Sequence, residues 1–258
     1  MRMRITTWGS LLRSASSVCL VLSAISQCPA QTASSAGPRS LVRITQLKPE
    51  MASEWLSIQK NEVNPALKKG GVATRTVLET VLGNPYEYVS ITPLGSFSDL
   101  DGDTPVVKAL GKDGAARLLA KTTRCIESQT LFVSTRVDEL SSVPKNPAPI
   151  WVSVRYRVAP AKGPDYENYL KTDIVPVYAK AKEAGKIAGY SVARRGPGAE
   201  TRDRTTVIYS NKIGDMEGGN TLTQMLGAEA AAKLAAKGAS LAAVVEVVVR
   251  RRVPDLSY

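Results

Sequence analysis

Met51, Trp55, Ile58 and Glu62 follow one another at spacings of four, three and four residues, which puts them on one stripe of a helix. The stripe is apolar and ends in a carboxylate. A second stripe of the same design, Tyr166, Tyr169 and Asp173, lies further along the chain. Each carboxylate stands three residues before a proline, Pro65 or Pro176, whose ring nitrogen cannot donate to the carbonyl of Asn61 or Thr172. A carboxylate raised in pKa by partial burial, beside free carbonyls and an aromatic ring, can serve as a general base. Glu62 and Asp173 are therefore the candidate catalytic residues, and Trp55, Tyr166 and Tyr169 are candidate binding residues. The plainer alternative makes the three rings core and leaves both acids on its wet edge.

A second group of candidates is basic. In Ile150–Val158 the residues Ile150, Val152, Val154, Tyr156 and Val158 share one face, and Trp151, Ser153, Arg155 and Arg157 share the other. With the apolar set beneath helices, Arg155 and Arg157 point away from them. The same parity separates Arg43 and Thr45 from Val42 and Ile44. Several arginines with fewer acids on an inner face could grip a carboxylate or phosphate bidentately. The alternative is a structural arginine–carboxylate network. Tyr88 and Tyr190 are strand tyrosines whose hydroxyls either reach a pocket or simply finish a half-buried ring.

What is missing narrows the chemistry. The 258 residues contain no histidine, which excludes Ser–His and Cys–His nucleophile pairs, imidazole zinc sites and His-ligated haem. Asp99-Leu-Asp-Gly-Asp103 superficially resembles a calcium loop but has no Glu at the required later position, and it reads as the approach to a helix. No metal and no cofactor are expected. Lys and Arg are spread along the chain without a basic block, so nucleic acid is not an expected partner. A small anionic or aromatic molecule is.

The elements that must position these residues are written twice. Residues 1–30 read as a signal peptide: Arg2, Arg4 and Arg13, an eight-residue apolar run Val18–Ile25 too short to span a bilayer, and a small-residue end at Cys28-Pro-Ala30. The expectation is cleavage after Ala30, export to the periplasm or the extracellular space, and no membrane span thereafter. Three of the surplus positive charges behind the net +11 leave with the leader, and Cys125 becomes the sole thiol. Residues 31–40 form a polar lead-in and 140–149 a Pro-rich linker. Between and after them, 41–139 and 150–258 each read as strand, helix, two strands, helix, strand. One spacing carries Pro65 onto Pro176, Trp55 onto Tyr166, Ile58 onto Tyr169 and Glu62 onto Asp173.

Leu47-Lys-Pro-Glu50, Glu54-Trp-Leu56, Asn64-Pro-Ala-Leu-Lys-Lys-Gly-Gly71, Asn84-Pro-Tyr-Glu-Tyr-Val-Ser-Ile-Thr-Pro93 and Phe97-Ser-Asp-Leu-Asp101 resemble the dimeric α+β barrel superfamily, leaning toward NIPSNAP-like and antibiotic-biosynthesis-monooxygenase-like domains. The resemblance implies an α+β chain of two ferredoxin-like βαββαβ repeats. They would dock as an intramolecular pseudo-dimer of the dimeric α+β barrel type, either a monomer or a homodimer in solution. Such families include cofactor-free monooxygenases, haem-degrading enzymes, isomerases and domains without activity, so fold does not select function. With no catalytic signature in the chain, the expectation is an exported small-molecule-binding or interaction protein without catalysis. The alternative is a cofactor-free monooxygenase or isomerase acting on a small aromatic or anionic metabolite. A third reading is haem degradation at a tyrosine-ligated site.

Overall fold

The computed structural model describes residues 38–258. The expected leader, 1–30, and residues 31–37 of the lead-in lie outside the described residues. Strand β1 (Arg39–Leu47) runs through a short 3-10 turn into helix α1 (Ala52–Ile58), a π turn (Gln59–Val63) and α2 (Asn64–Lys69). Strands β2 (Thr76–Leu82) and β3 (Glu87–Leu94), helix α3 (Pro105–Thr123) and β4 (Ile126–Arg136) follow. The order then recurs: β5 (Ile150–Val158), α4 (Gly163–Tyr169), a π turn (Leu170–Ile174), α5 (Val175–Glu183), β6 (Gly189–Arg195), β7 (Asp203–Ser210), α6 (Thr221–Leu226), α7 (Ala228–Ala239) and β8 (Ala242–Arg252).

The prolines explain the π turns. Pro65 would press its ring on the carbonyl of Asn61 and leave it without a donor. One extra residue in the turn moves that carbonyl aside, and the Asn64 N–H reaches the Gln59 carbonyl instead. Pro176 has the same effect, with the Val175 N–H on the Leu170 carbonyl. A second device also recurs. Gly111 breaks α3 with φ 70°, and Gly227 separates α6 from α7 with φ 79°, both in the left-handed region where a Cβ is strained.

The strands form one closed antiparallel barrel in the order β1-β3-β2-β8-β5-β7-β6-β4. This corrects the expected pair of ferredoxin-like repeats docked as a pseudo-dimer. Stacked sheets would leave edge strands with unpaired backbone groups. Here the edges pair with each other, through Leu78↔Arg252, Glu79↔Arg251 and Thr80↔Arg250 on one seam and Ser134↔Arg195, Thr135↔Arg194 and Arg136↔Ala193 on the other. The Pro-rich segment 140–149 is packed rather than loose: Leu140 and Ala148 are buried, and Ser142 bridges to Tyr190.

Three apolar layers result. Helices α1–α3 cover Leu47, Val77 and Tyr88, while α4–α7 cover Val158, Tyr190 and Val192. Inside the barrel, Val42, Leu78, Val89 and Phe132 pack with Ile44, Ile91 and Trp151. Because Val42 and Ile44 face inward, Arg43 lies on the outer face and is exposed, against the expectation that it lines the inner face with Arg155 and Arg157. Among the described residues, no helix is long and apolar enough to cross a membrane.

Candidate functional site

The π turn presents Asn61 and Glu62 toward α3, and between them runs a groove of 440 Å³. Its floor is apolar, built from Pro65, Ala66, Leu110 and Leu118. Its rim carries Glu62, Lys69, Arg117 and Lys121, three cations to one acid. Lys121 Nζ donates to Glu62 Oε2 at 2.8 Å, and both side chains are substantially exposed, so the pair adds little stability and can be opened by a ligand. Local positive potential over an apolar floor suits an anion with an aromatic or aliphatic body.

The matching carboxylate is placed differently. Asp173 Oδ2 accepts from Lys237 Nζ at 2.6 Å and from Thr172 Oγ1 at 3.2 Å. The Lys237 hydrogen bond, reinforced by Thr172, holds the Asp173 carboxyl below the usual carboxylate range despite some burial. That shift makes Asp173 a weaker base. Beside it the space is taken by Tyr169, which reaches under α7 and donates to the Leu234 carbonyl at 2.9 Å. A Cβ on Gly238 would stand 2.9 Å from the Tyr169 hydroxyl, so this helix approaches the ring as closely as glycine permits.

Trp55 and Tyr88 are brought together, with ring centroids 4.9 Å apart, but both are buried in the packed first layer and not on the groove. Tyr166, Tyr169 and Tyr190 join Tyr156 and Tyr178 in a tyrosine cluster in the second layer. The Tyr166 hydroxyl is buried there without a hydrogen-bond partner. Burial pushes the Tyr166 and Tyr178 phenols far up and Tyr169 up to about 12. Haem on a tyrosine does not fit this layer: side chains fill it, and a phenolate ligand is disfavoured at each of these rings. Arg155 and Arg157 lie inside the barrel, both bonded to Asp203 at 3.1 and 2.8 Å.

The candidate residues are thus divided among a groove, two packed layers, the barrel interior and, for Arg43, an exposed outer face. The sequence reading missed the groove's cations. Arg117 and Lys121 are one helical turn apart, a readable pattern that resembles any solvated helix face. Arg75, which strand parity sets on one face with Val77, is 6% exposed and donates to Gln59 Oε1 at 2.8 Å and Asn64 Oδ1 at 2.5 Å, the first residue of the π turn and the one that follows it. Burial lowers its pKa to about 10.

No protein-family model matches this chain, and none of the curated proteins does. Solved structures match over most of its length. An anthrone oxidase-like protein superposes with TM-score 0.59 at 11% identity, covering 85% of this chain and 93% of the other. A candidate monooxygenase from Lactobacillus acidophilus gives TM-score 0.54 at 9% identity, over 84% and 94%. A candidate chlorite dismutase gives 0.52 at 8%, over 84% and 96%. These neighbours are members of the dimeric α+β barrel superfamily. What the chain shares with them is the fold. Their descriptions as oxidase-like, monooxygenase and dismutase nonetheless overturn the expectation of a non-catalytic binding module and the leaning away from an enzyme.

Proposed function

We propose that the protein is a cofactor-free enzyme of the oxygenase kind, acting on a small aromatic anion bound in the groove between α2 and α3. The observation that carries this reading is Glu62, set by the π turn at the rim of an apolar groove among Lys69, Arg117 and Lys121. The volume of 440 Å³ lies within the usual range for small-molecule sites, roughly 300–1,000 Å³. The anthrone oxidase-like and monooxygenase neighbours support the reaction class, as does the leaning of the sequence toward antibiotic-biosynthesis-monooxygenase-like domains.

In this scheme Arg117 and Lys69 hold the oxyanion of the substrate, and its ring lies on Leu110 and Leu118. Displaced from Lys121, Glu62 takes a proton from an acidic C–H. The ring-stabilised carbanion passes one electron to O2, and the resulting radical pair joins to a peroxide at that carbon. With the proton returned by Glu62, the O–O bond breaks with loss of water and leaves one oxygen atom as a ketone. Without oxygen, return of the proton at another carbon gives an isomerase on the same groups. The test is oxygen uptake with anthrone-type hydroxyaromatic substrates. Glu62→Gln should lower kcat by about 100-fold or more with little change in KM. Equal turnover by wild type and E62Q, or none by wild type across such a panel, refutes the assignment. Export rests on the leader pattern of 1–30 and is proposed alongside; cell fractionation that leaves the chain in the cytoplasm rejects it.

A further inference from the structure

The barrel interior gathers more positive charge than negative. Strand pairing turns Arg155, Arg157, Arg195, Arg250 and Arg252 inward, facing Glu87, Asp203 and Glu246. Each acid is already engaged. Asp203, with its side chain 2% exposed, accepts from Arg155 and Arg157; Glu246 accepts from Arg155 at 3.3 Å; Glu87 accepts from Arg250 Nη2 at 2.6 Å. Arg195 is left with the Thr205 hydroxyl at 3.2 Å and the Phe132 ring, 4.6 Å from its guanidinium carbon. Among the described residues Arg252 makes no ion pair, and the Nε atoms of Arg250 and Arg252 are buried without an acceptor.

A guanidinium does not shed its proton near neutrality, so burial of unpaired arginine has to be offset by an anion. Arg250 is itself only 7% exposed and has Glu87 as a partner for Nη2 but none for Nε, while Arg195 and Arg252 are half-buried. Burial first, and then the charge of Arg155, lower the Arg195 pKa to about 10; Asp203 and Glu246 oppose this in part, and Arg250 adds a smaller downward push.

We infer that the barrel interior holds a small dianionic oxyanion, a phosphate group or a dicarboxylate, between Arg195 and Arg250, with the free Nε groups of β8 as additional donors. This site is separate from the Glu62 groove and uses none of its residues. Arginine forks match such oxyanions in geometry as well as charge.

The test follows thermal unfolding of the full chain in inorganic phosphate, in succinate and in chloride at equal ionic strength. Phosphate or succinate should raise Tm saturably where chloride does not. Arg195→Met should weaken that response about tenfold or more, the loss of roughly one charge-assisted contact. It should also melt no lower than wild type in chloride, because an unpaired charge has been removed. Arg117→Met, in the groove, should keep the full response. The inference is overturned if neither oxyanion exceeds chloride, if R195M responds like wild type, or if R117M rather than R195M abolishes the effect. Calorimetric titration of the wild-type chain with phosphate gives a reading that does not depend on how the variants fold, and an absence of binding heat at millimolar phosphate is equally fatal.

Discussion

The helix layers over the two halves of the barrel share their backbone devices and differ in what they enclose. Both have a π turn ahead of a proline, a glycine break in the later helix and a carboxylate–lysine clasp, Glu62–Lys121 in one and Asp173–Lys237 in the other. Beneath the first lies a polar knot of Arg75, Gln59 and Asn64; beneath the second, five tyrosines. Arg75 and Tyr190 stand equally far past the helix-ending glycines Gly70 and Gly185. Ile58 occupies the place of Tyr169 and lacks the ring that wedges under the final helix. The difference teaches that the clasp alone does not make a site. On the groove floor, Ala66 stands where the second layer has the larger Val177.

The barrel interior sharpens the contrast, because the first half contributes Val42, Ile44 and Val89 while the second contributes Arg155, Arg195 and Arg250. The largest effect should follow from Asp203→Asn, which strands two arginines and should cost about 3–5 kcal/mol in urea unfolding at pH 7. Burial alone would raise the Asp203 pKa, but hydrogen bonds from Arg157 and Arg155 outweigh it and hold the carboxyl below its usual value. Its contribution is therefore present above the unfolded value of about 3.9 and is lost as pH falls through the lower folded value. Unfolding repeated near pH 3 should show the gap between wild type and D203N narrowing; a constant gap would contradict the ion-pair account.

Next comes the glycine pair. A Cβ at Gly70 would collide with the Pro105 carbonyl, whereas at Gly185, with φ 69°, it meets open space. Gly70→Ala should cost about 2–3 kcal/mol by overpacking and Gly185→Ala about 1–2 kcal/mol by backbone strain alone, read as midpoint shifts. Equal costs would erase this distinction between the layers. Smaller still, Tyr169→Phe should lose about 1 kcal/mol with its bond to Leu234, while Tyr166→Phe should be neutral or slightly stabilising because its hydroxyl has no partner. Thermal melts of both variants decide this. Smallest of all, Glu62→Gln should move stability by no more than about 0.5 kcal/mol, even where its turnover collapses.

Parity could be read along β5 because Val152, Val154, Tyr156 and Val158 alternate with Ser153, Arg155 and Arg157, Trp151 being the one apolar residue on the inner face. It failed at β1, where Leu41, Val42, Ile44 and Leu47 put apolar groups on both faces and Arg43 was left to either side. The interior of this half is itself apolar, so alternation held no information there. Barrel closure was hidden for another reason. The seams at Thr80↔Arg250 and Ser134↔Arg195 are made by backbone groups, which every residue carries alike. Glu62 was singled out because its stripe and Pro65 mark a place on a helix. Lys69, Arg117 and Lys121 were not, because the groove depends on how far apart two helices stand.

Strand β8 lies between β2 and β5, so the first half stays unfinished until the second has been made through Arg252. During synthesis β2 and β4 present bare rims that any neighbouring nascent chain could extend. Their closure joins segments far apart in sequence, which predicts slow assembly and a need for protection while the rims are open.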